Sequence, residues 1–245
     1  SYVNRTKAAL QNQELHPMIT FIDSINSSLY NNHPRAQRLT SNMVDKVNYD
    51  KIIDMYKDRF KDASDFTFIL VGNVDLNEMK PYIEQYLGAL PAINRKESFK
   101  DTNMNMRKGV YKNTFTKEQE TAKASICLVF NGNSPYNQKN NVMMSMVSQI
   151  LNPIYTEKVR EDEGGTYGVS VSGGTNKFPK ENAYLQIVFD TDPGNKDRLM
   201  EIIHHELQNL GTNGPIETNL IKVKAYMLTK HRETLKINNY WLVEI

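Results

Sequence analysis

Arg160 and Tyr167 place a charged donor and a phenol donor seven residues apart in this 245-residue sequence. They lie in the run Lys158-Val159-Arg160-Glu161-Asp162-Glu163-Gly164-Gly165-Thr166-Tyr167-Gly168-Val169-Ser170-Val171-Ser172-Gly173-Gly174. The pattern predicts an arginine near the end of a helix, an acidic glycine-rich turn, and a tyrosine at the head of a strand. A cationic donor and a phenol donor would then share one edge of a sheet. Gly164, Gly165 and Gly168 would let the backbone approach a bound group closely, or would only permit a tight turn. The residues by themselves favour a plainer account, in which Arg160 pairs with the adjacent acids and Tyr167 is a strand aromatic.

Other chemistry fares worse. The histidines are His16, His33, His204, His205 and His231, and the residues four places beyond them are Thr20, Gln37, Gln208, Asn209 and Leu235. A helical zinc pair needs two histidines on one face, so neither H-E-x-x-H nor H-x-x-E-H exists in the chain. His204 and His205 are adjacent, and adjacent helical residues point about 100° apart. No G-x-S-x-G nucleophile elbow is present. Val71-Gly72-Asn73-Val74-Asp75 turns from a strand towards a helix without a phosphate-loop motif. Glu157, Glu161, Asp162 and Glu163 could supply an acidic pair for glycoside hydrolysis, but a solvated acidic turn is the plainer reading. Cys127 is the single cysteine, which excludes an internal disulfide and a thiolate zinc cluster, and its apolar setting predicts a buried, inert thiol.

Composition narrows the class. Hydrophobic residues make up 39% and the net charge is +2, with 30 basic residues spread along the chain. Nothing resembles a nucleic-acid footprint, and no apolar run approaches a membrane span. The sequence opens at Ser1 and closes in the apolar Tyr240-Trp241-Leu242-Val243-Glu244-Ile245, so it reads as a piece of a longer polypeptide. Abundant lysine and asparagine with scarce cysteine suit a bacterial periplasm or cell envelope, although scarce cysteine suits a cytosol equally.

The elements that must position Arg160 and Tyr167 follow from periodicity. Helices are expected from Pro17 to Tyr30, after a cap at Asn48 (burying Ile52, Ile53, Tyr56 and Phe60), and after Asp75 and Glu78. Phe66 to Val71, Val110 to Phe115 and Ala124 to Phe130 read as strands. Asn141 to Leu151 is helical, and a separate short helix through Tyr155 and Val159 leads to Arg160. Strands are expected at Thr166 to Ser172 and Ala183 to Asp190. Helices follow at Lys196 to Leu210, stopped by Gly211, and from Thr218 past Leu235. Paired strands between helices predict an α+β fold with helices packed on mostly antiparallel sheet.

Three stretches in this order resemble the pitrilysin/insulinase-type zinc peptidases, the inverted-motif metalloproteases. They are Phe68 to Asp75 with the helix ending Tyr86-Leu87-Gly88-Ala89-Leu90-Pro91; Asn141 to Leu151 leading through Asn152-Pro153-Ile154-Tyr155 to Arg160; and Gly164-Gly165-Thr166-Tyr167-Gly168-Val169. The resemblance implies metallohydrolase-like domains from the second half of such a peptidase. It divides the chain into the C-terminal portion of one peptidase-like domain over 1–92, a linker over 93–108, and a second, truncated domain over 109–245. In that family the first half carries H-x-x-E-H and a downstream glutamate, which bind zinc and activate water. The second half supplies the arginine and tyrosine.

The implied roles are specific. Arg160 would hold a substrate backbone carbonyl, and Tyr167 would donate to the scissile carbonyl as it becomes an oxyanion. Gly165 and Gly168 would flank the peptide. Zinc would belong to the parent protein, with no metal bound by this piece. The partners implied are a peptide substrate and the N-terminal zinc-binding half, on the same polypeptide or on a partner subunit. A non-catalytic peptide-binding or structural homologue on the same scaffold is the alternative. An unrelated α+β enzyme with an acidic site is a third, weaker possibility.

Overall fold

Strands β1 (Ala124–Gly132), β2 (Val169–Asn176) and β3 (Asn182–Thr191) form one antiparallel sheet in the order β1-β3-β2. The computed structural model describes the backbone of residues 2–163 and 168–244, and the side chains of 2–159 and 168–244. In register, Ile126, Leu128 and Phe130 of β1 lie opposite Phe189, Ile187 and Leu185 of β3. Val169 and Val171 of β2 face the same Phe189 and Ile187. Period-two alternation puts these residues on one face, and helices cover that face. Leu151, Tyr155 and Val159 recur every fourth residue on α6 (Gln138–Glu163), as do Leu199 and Ile203 on α7 (Lys196–Asn213). With Val169, Val171, Leu185, Ile187 and Phe189 they form the core. The fold is α+β, as the sequence implies.

Helix α6 corrects one expectation. It runs unbroken through Pro153, where two helices were expected. A proline inside a helix lacks one N–H and costs roughly 3 kcal/mol. Here Leu151 on one side of it and Tyr155 and Val159 on the other are fully buried, and that packing carries the helix across. The acidic residues 161–163 therefore end α6 in place of an open turn.

The chain divides into two compact units, one of residues 1–41 and 101–226, the other of residues 42–100 and 227–245. The first unit holds the sheet and its core. It also contains α1 (Tyr2–Glu14) and α2 (Pro17–Leu29), with Pro17 in the first turn of α2 and His16 Nδ1 accepting from Met18 N. Residues 110–115 form no strand, contrary to expectation. Thr20, Ser24 and Ser28 make a polar stripe along α2. Asn113 Nδ2 donates to the Ser24 and Ser28 hydroxyls at 2.8 and 3.1 Å, and Lys117 Nζ donates to Thr20 Oγ1 at 2.9 Å. Arg107 N donates to Leu29 O and stacks 3.8 Å over the Tyr111 ring. Side-chain bonds to a helix thus take the place of a strand ladder. Helix α7 also outruns its expected stop: Gly211 is helical, and Gly214, at φ 73°, ends it by donating to Leu210 O.

The second unit holds α4 (Tyr49–Phe60), α5 (Leu76–Tyr82) with a π-helical turn at Ile83–Leu87, and α9 (Asn238–Glu244). The short helix α3 (Ser41–Val44) and the helix α8 (Glu217–Thr234) run across the division. Asn48 caps α4 by accepting from Lys51 N, and the Asp75 carboxylate caps α5 by accepting from Asn77 N and Glu78 N. The expected burial of Ile52, Tyr56 and Phe60 is not observed: all three are exposed. Residues 66–71 form no strand, contrary to expectation, and no ladder partner is found for them among the described residues.

Asp62 ties the polar stretch after Pro91 to the end of α4. Its buried carboxylate accepts from Ser64 Oγ, Ser64 N, Ile93 N and Arg95 N at 2.6 to 3.0 Å. The Ser64 hydroxyl first, then these backbone amides, hold the carboxyl far below the usual carboxylate range. The folded value is depressed, so its stabilisation is complete above the unfolded value of roughly 3.9 and is lost as pH falls below it. Asp62→Asn is expected to flatten the fall of the urea midpoint between about pH 5 and about pH 2. Equal slopes in the two proteins would remove Asp62 from this role.

Candidate functional site

The segment from Arg160 to Gly168 is held at both ends by core residues. Val159 is fully buried before it and Val169 is buried after it. Asn152 fastens the two sides together. Its Nδ2 donates to Val171 O at 2.9 Å and its Oδ1 accepts from Val171 N at 2.8 Å, so one amide satisfies both backbone groups of a β2 residue. One turn on, the buried Tyr155 hydroxyl donates to Ile203 O at 3.0 Å, locking α6 to α7. Burial pushes the Tyr155 phenol well above its ordinary value, so it stays a protonated donor.

Gly173 is the residue that sequence reasoning missed. A Cβ at this position would lie 2.8 Å from Ser148 Oγ, 3.1 Å from Leu185 Cδ1 and 3.2 Å from Tyr184 O. Only glycine lets β2 approach α6 this closely. The signal available was the pair Gly173-Gly174 inside a strand pattern. Gly168 differs: it is exposed, and a Cβ there would meet open space.

Of the residues expected at the site, Arg160 lies in the last turns of α6, and its side chain falls outside the described residues. Gly165 and Tyr167 also fall outside them, as do the side chains of Glu161, Asp162 and Glu163. The frame is described, then, and the two proposed donors are not.

Beside the frame, the opposite face of the sheet carries polar side chains among half-buried positions. Ser125 Oγ donates to Asp190 Oδ1 at 2.6 Å, and Lys123 Nζ pairs with Asp190 Oδ2 at 2.7 Å. Ser170 and Ser172 are exposed on β2. Cys127 is half-buried, a modest departure from full burial, and Gln186 Nε2 lies 3.5 Å from its Sγ. Burial pushes the thiol up, so it remains a neutral thiol at physiological pH.

The remaining sequence candidates do not converge. His204 stacks edge-on against Phe130 with centroids 5.8 Å apart, and His205 points to solvent beside Glu206. Among the described residues no group of three His, Cys, Asp or Glu side chains is placed to hold a metal ion. No described helix is long and apolar enough to cross a membrane.

Comparison with known proteins adds family and fold. Residues 46–227 match the family described as Peptidase M16 inactive domain. The chain is 24% identical to a "Zinc protease PQQL-like" of Arabidopsis thaliana, over 95% of this chain and 26% of that protein. It therefore spans about a quarter of the length of that relative. The structure superposes on the periplasmic protease PqqL from Escherichia coli with a TM-score of 0.76 at 17% identity, covering 98% of this chain and 26% of that one. It superposes on a peptidase M16 inactive domain from Pseudomonas fluorescens with a TM-score of 0.65 at 17% identity, covering 94% of this chain and 55% of that one. At these identities the solved structures establish the fold, which is shared.

Proposed function

This chain belongs to the peptidase M16 inactive-domain family, and we propose from that premise that it is the C-terminal, non-zinc portion of a zinc metalloendopeptidase. One observation carries the reading. The family match over residues 46–227 runs straight through the arginine-to-tyrosine segment, while the matched relative is named a zinc protease and is about four times longer. In this reading Arg160 donates its guanidinium hydrogens to a backbone carbonyl of the bound peptide. Tyr167 donates its phenol hydrogen to the scissile carbonyl oxygen, where negative charge develops. Gly165 and Gly168 leave room for the peptide backbone beside them. Zinc would supply Lewis acidity from a site on the N-terminal half, on the same polypeptide or on a partner subunit.

The expected division belongs to the same proposal: part of one peptidase-like domain over 1–92, a linker over 93–108 and a second domain over 109–245. So does a periplasmic or envelope location, which is in keeping with the periplasmic protease that shares the fold. A non-catalytic peptide-binding homologue is the competing reading. The sequence upstream of Ser1 separates the two. An H-x-x-E-H motif there, with one zinc bound per full-length protein and cleavage of unstructured peptides, is the expected result. The 245-residue chain alone should neither retain zinc nor cleave. A complete upstream half without the motif would favour the binding protein and withdraw the roles of Arg160 and Tyr167. Stoichiometric zinc with peptidase activity in the short chain would overturn the proposal outright.

A further inference from the structure

Residues 110–115 have strand composition and form no strand, and part of this stretch walls a polar cavity against α2. The cavity has a volume of about 520 Å³ and lies entirely within the first compact unit. Residues of α2, residues 37–40 and residues 113–115 surround it. One wall is pinned where Asn113 donates to the Ser24 and Ser28 hydroxyls and Lys117 donates to Thr20. On the other side Arg38 is fixed by Asp23. Its Nε and Nη2 donate to the two carboxylate oxygens at 3.1 and 2.9 Å, and its Nη1 donates to Leu39 O at 2.9 Å. A two-point pair of this kind fixes the guanidinium plane as well as its position.

The charge of this cavity cancels, because Asp23 and Arg38 are its two charged lining side chains and they pair. Hydrogen-bonding capacity of both signs is left over. Among the described residues, the Asn26 amide and the Thr40 hydroxyl have no partner, and Gln37 Oε1 and Asn113 Oδ1 accept nothing. Arg38 has five N–H donors, of which three are engaged. Asn26, Arg38 and Thr40 are half-buried. Phe115 lines the same cavity with its ring 42% exposed.

These properties select a ligand class. An apolar ligand would cover the polar groups without meeting them, which is costly. A charged ligand would have to compete with the Asp23–Arg38 pair. A pyranose ring supplies what is left over: each hydroxyl both donates and accepts, and one ring face is a patch of C–H groups that packs on an aromatic ring. Cavities of about 300–1,000 Å³ hold small organic ligands. We infer that this cavity is a binding site for a neutral saccharide of one or two rings. Asn26, Arg38, Thr40 and Asn113 bond its hydroxyls, and Phe115 packs on its C–H face. The site stands whether or not the parent protein cleaves peptides.

Titration calorimetry of the 245-residue chain with cellobiose, maltose and N,N′-diacetylchitobiose tests the assignment. At least one of these sugars is expected to bind with a Kd on the order of 1 mM. Phe115→Ala and Asn26→Ala should each raise that Kd about tenfold or more. Phe178→Ala removes an exposed aromatic outside the cavity and should leave the Kd unchanged. Phe115 is exposed, so its loss should not unfold the chain, and the urea midpoint of each variant checks this. Absence of binding by every sugar up to about 50 mM would overturn the assignment. So would binding that survives both cavity substitutions, or that Phe178→Ala abolishes as well. Binding of tetra-alanine with no sugar bound would make the cavity a peptide subsite and would overturn the saccharide assignment.

Discussion

Replacing Tyr167 by phenylalanine in the proposed full-length peptidase is expected to lower kcat about 100-fold or more, with KM changed less than about threefold. The ground-state peptide carbonyl is a weak, neutral acceptor. The tetrahedral oxygen carries nearly a full charge, and a fixed phenol in a closed site gains most at that moment. Losing one such donor costs roughly 3 to 4 kcal/mol of barrier. Phenylalanine keeps the ring, so the urea midpoint should not move. Steady-state kinetics on one peptide, with an unfolding curve on the same sample, makes the test. An unchanged kcat would remove Tyr167 from the reaction. A rise in KM alone would make it a binding residue.

Leu151→Ala is expected to cost about 2–5 kcal/mol of stability, read as a lower urea midpoint by far-UV circular dichroism. Leu151 is fully buried on α6 among the residues that clamp the helix to the sheet. The cavity it leaves is bounded by a helix and a strand already locked together through Asn152, so little collapse is available to refill it. Val110→Ala, at a fully exposed position, should stay within about 0.5 kcal/mol. A loss below about 1 kcal/mol at Leu151 would mean that the interior relaxes around the hole. Because the same clamp flanks residues 160–168, amide exchange at Val169 and Val171 should quicken in this variant.

Much of the first unit was legible in the residues. The apolar run in Ala124 to Phe130 and the stretch Ala183 to Asp190 read as two of the three strands, and four-residue spacing at Leu199 and Ile203 marks α7. Caps at Asn48 and Asp75 are local devices, written in a single short side chain and the next turn of backbone. The run from Arg160 to Gly168 stood out because charge, glycine and aromatic types crowd into nine positions, and the family match includes it.

What the sequence determined by itself was therefore whatever depends on near neighbours: periodicity, capping, fold class and the candidate donors. Tertiary structure decided the rest. Pro153 reads as a break, yet Leu151, Tyr155 and Val159 reach core residues far along the chain and hold one continuous helix. Val110 to Phe115 has strand composition, but the stripe of Thr20, Ser24 and Ser28 holds neighbouring Asn113 and Lys117 along a helix. Phe66 to Val71 has the composition of a buried strand and lacks the ladder that would make it one. Strand propensity is a preference for a pleated, covered surface. Whether that surface exists depends on residues distant in sequence, and no local pattern encodes their positions.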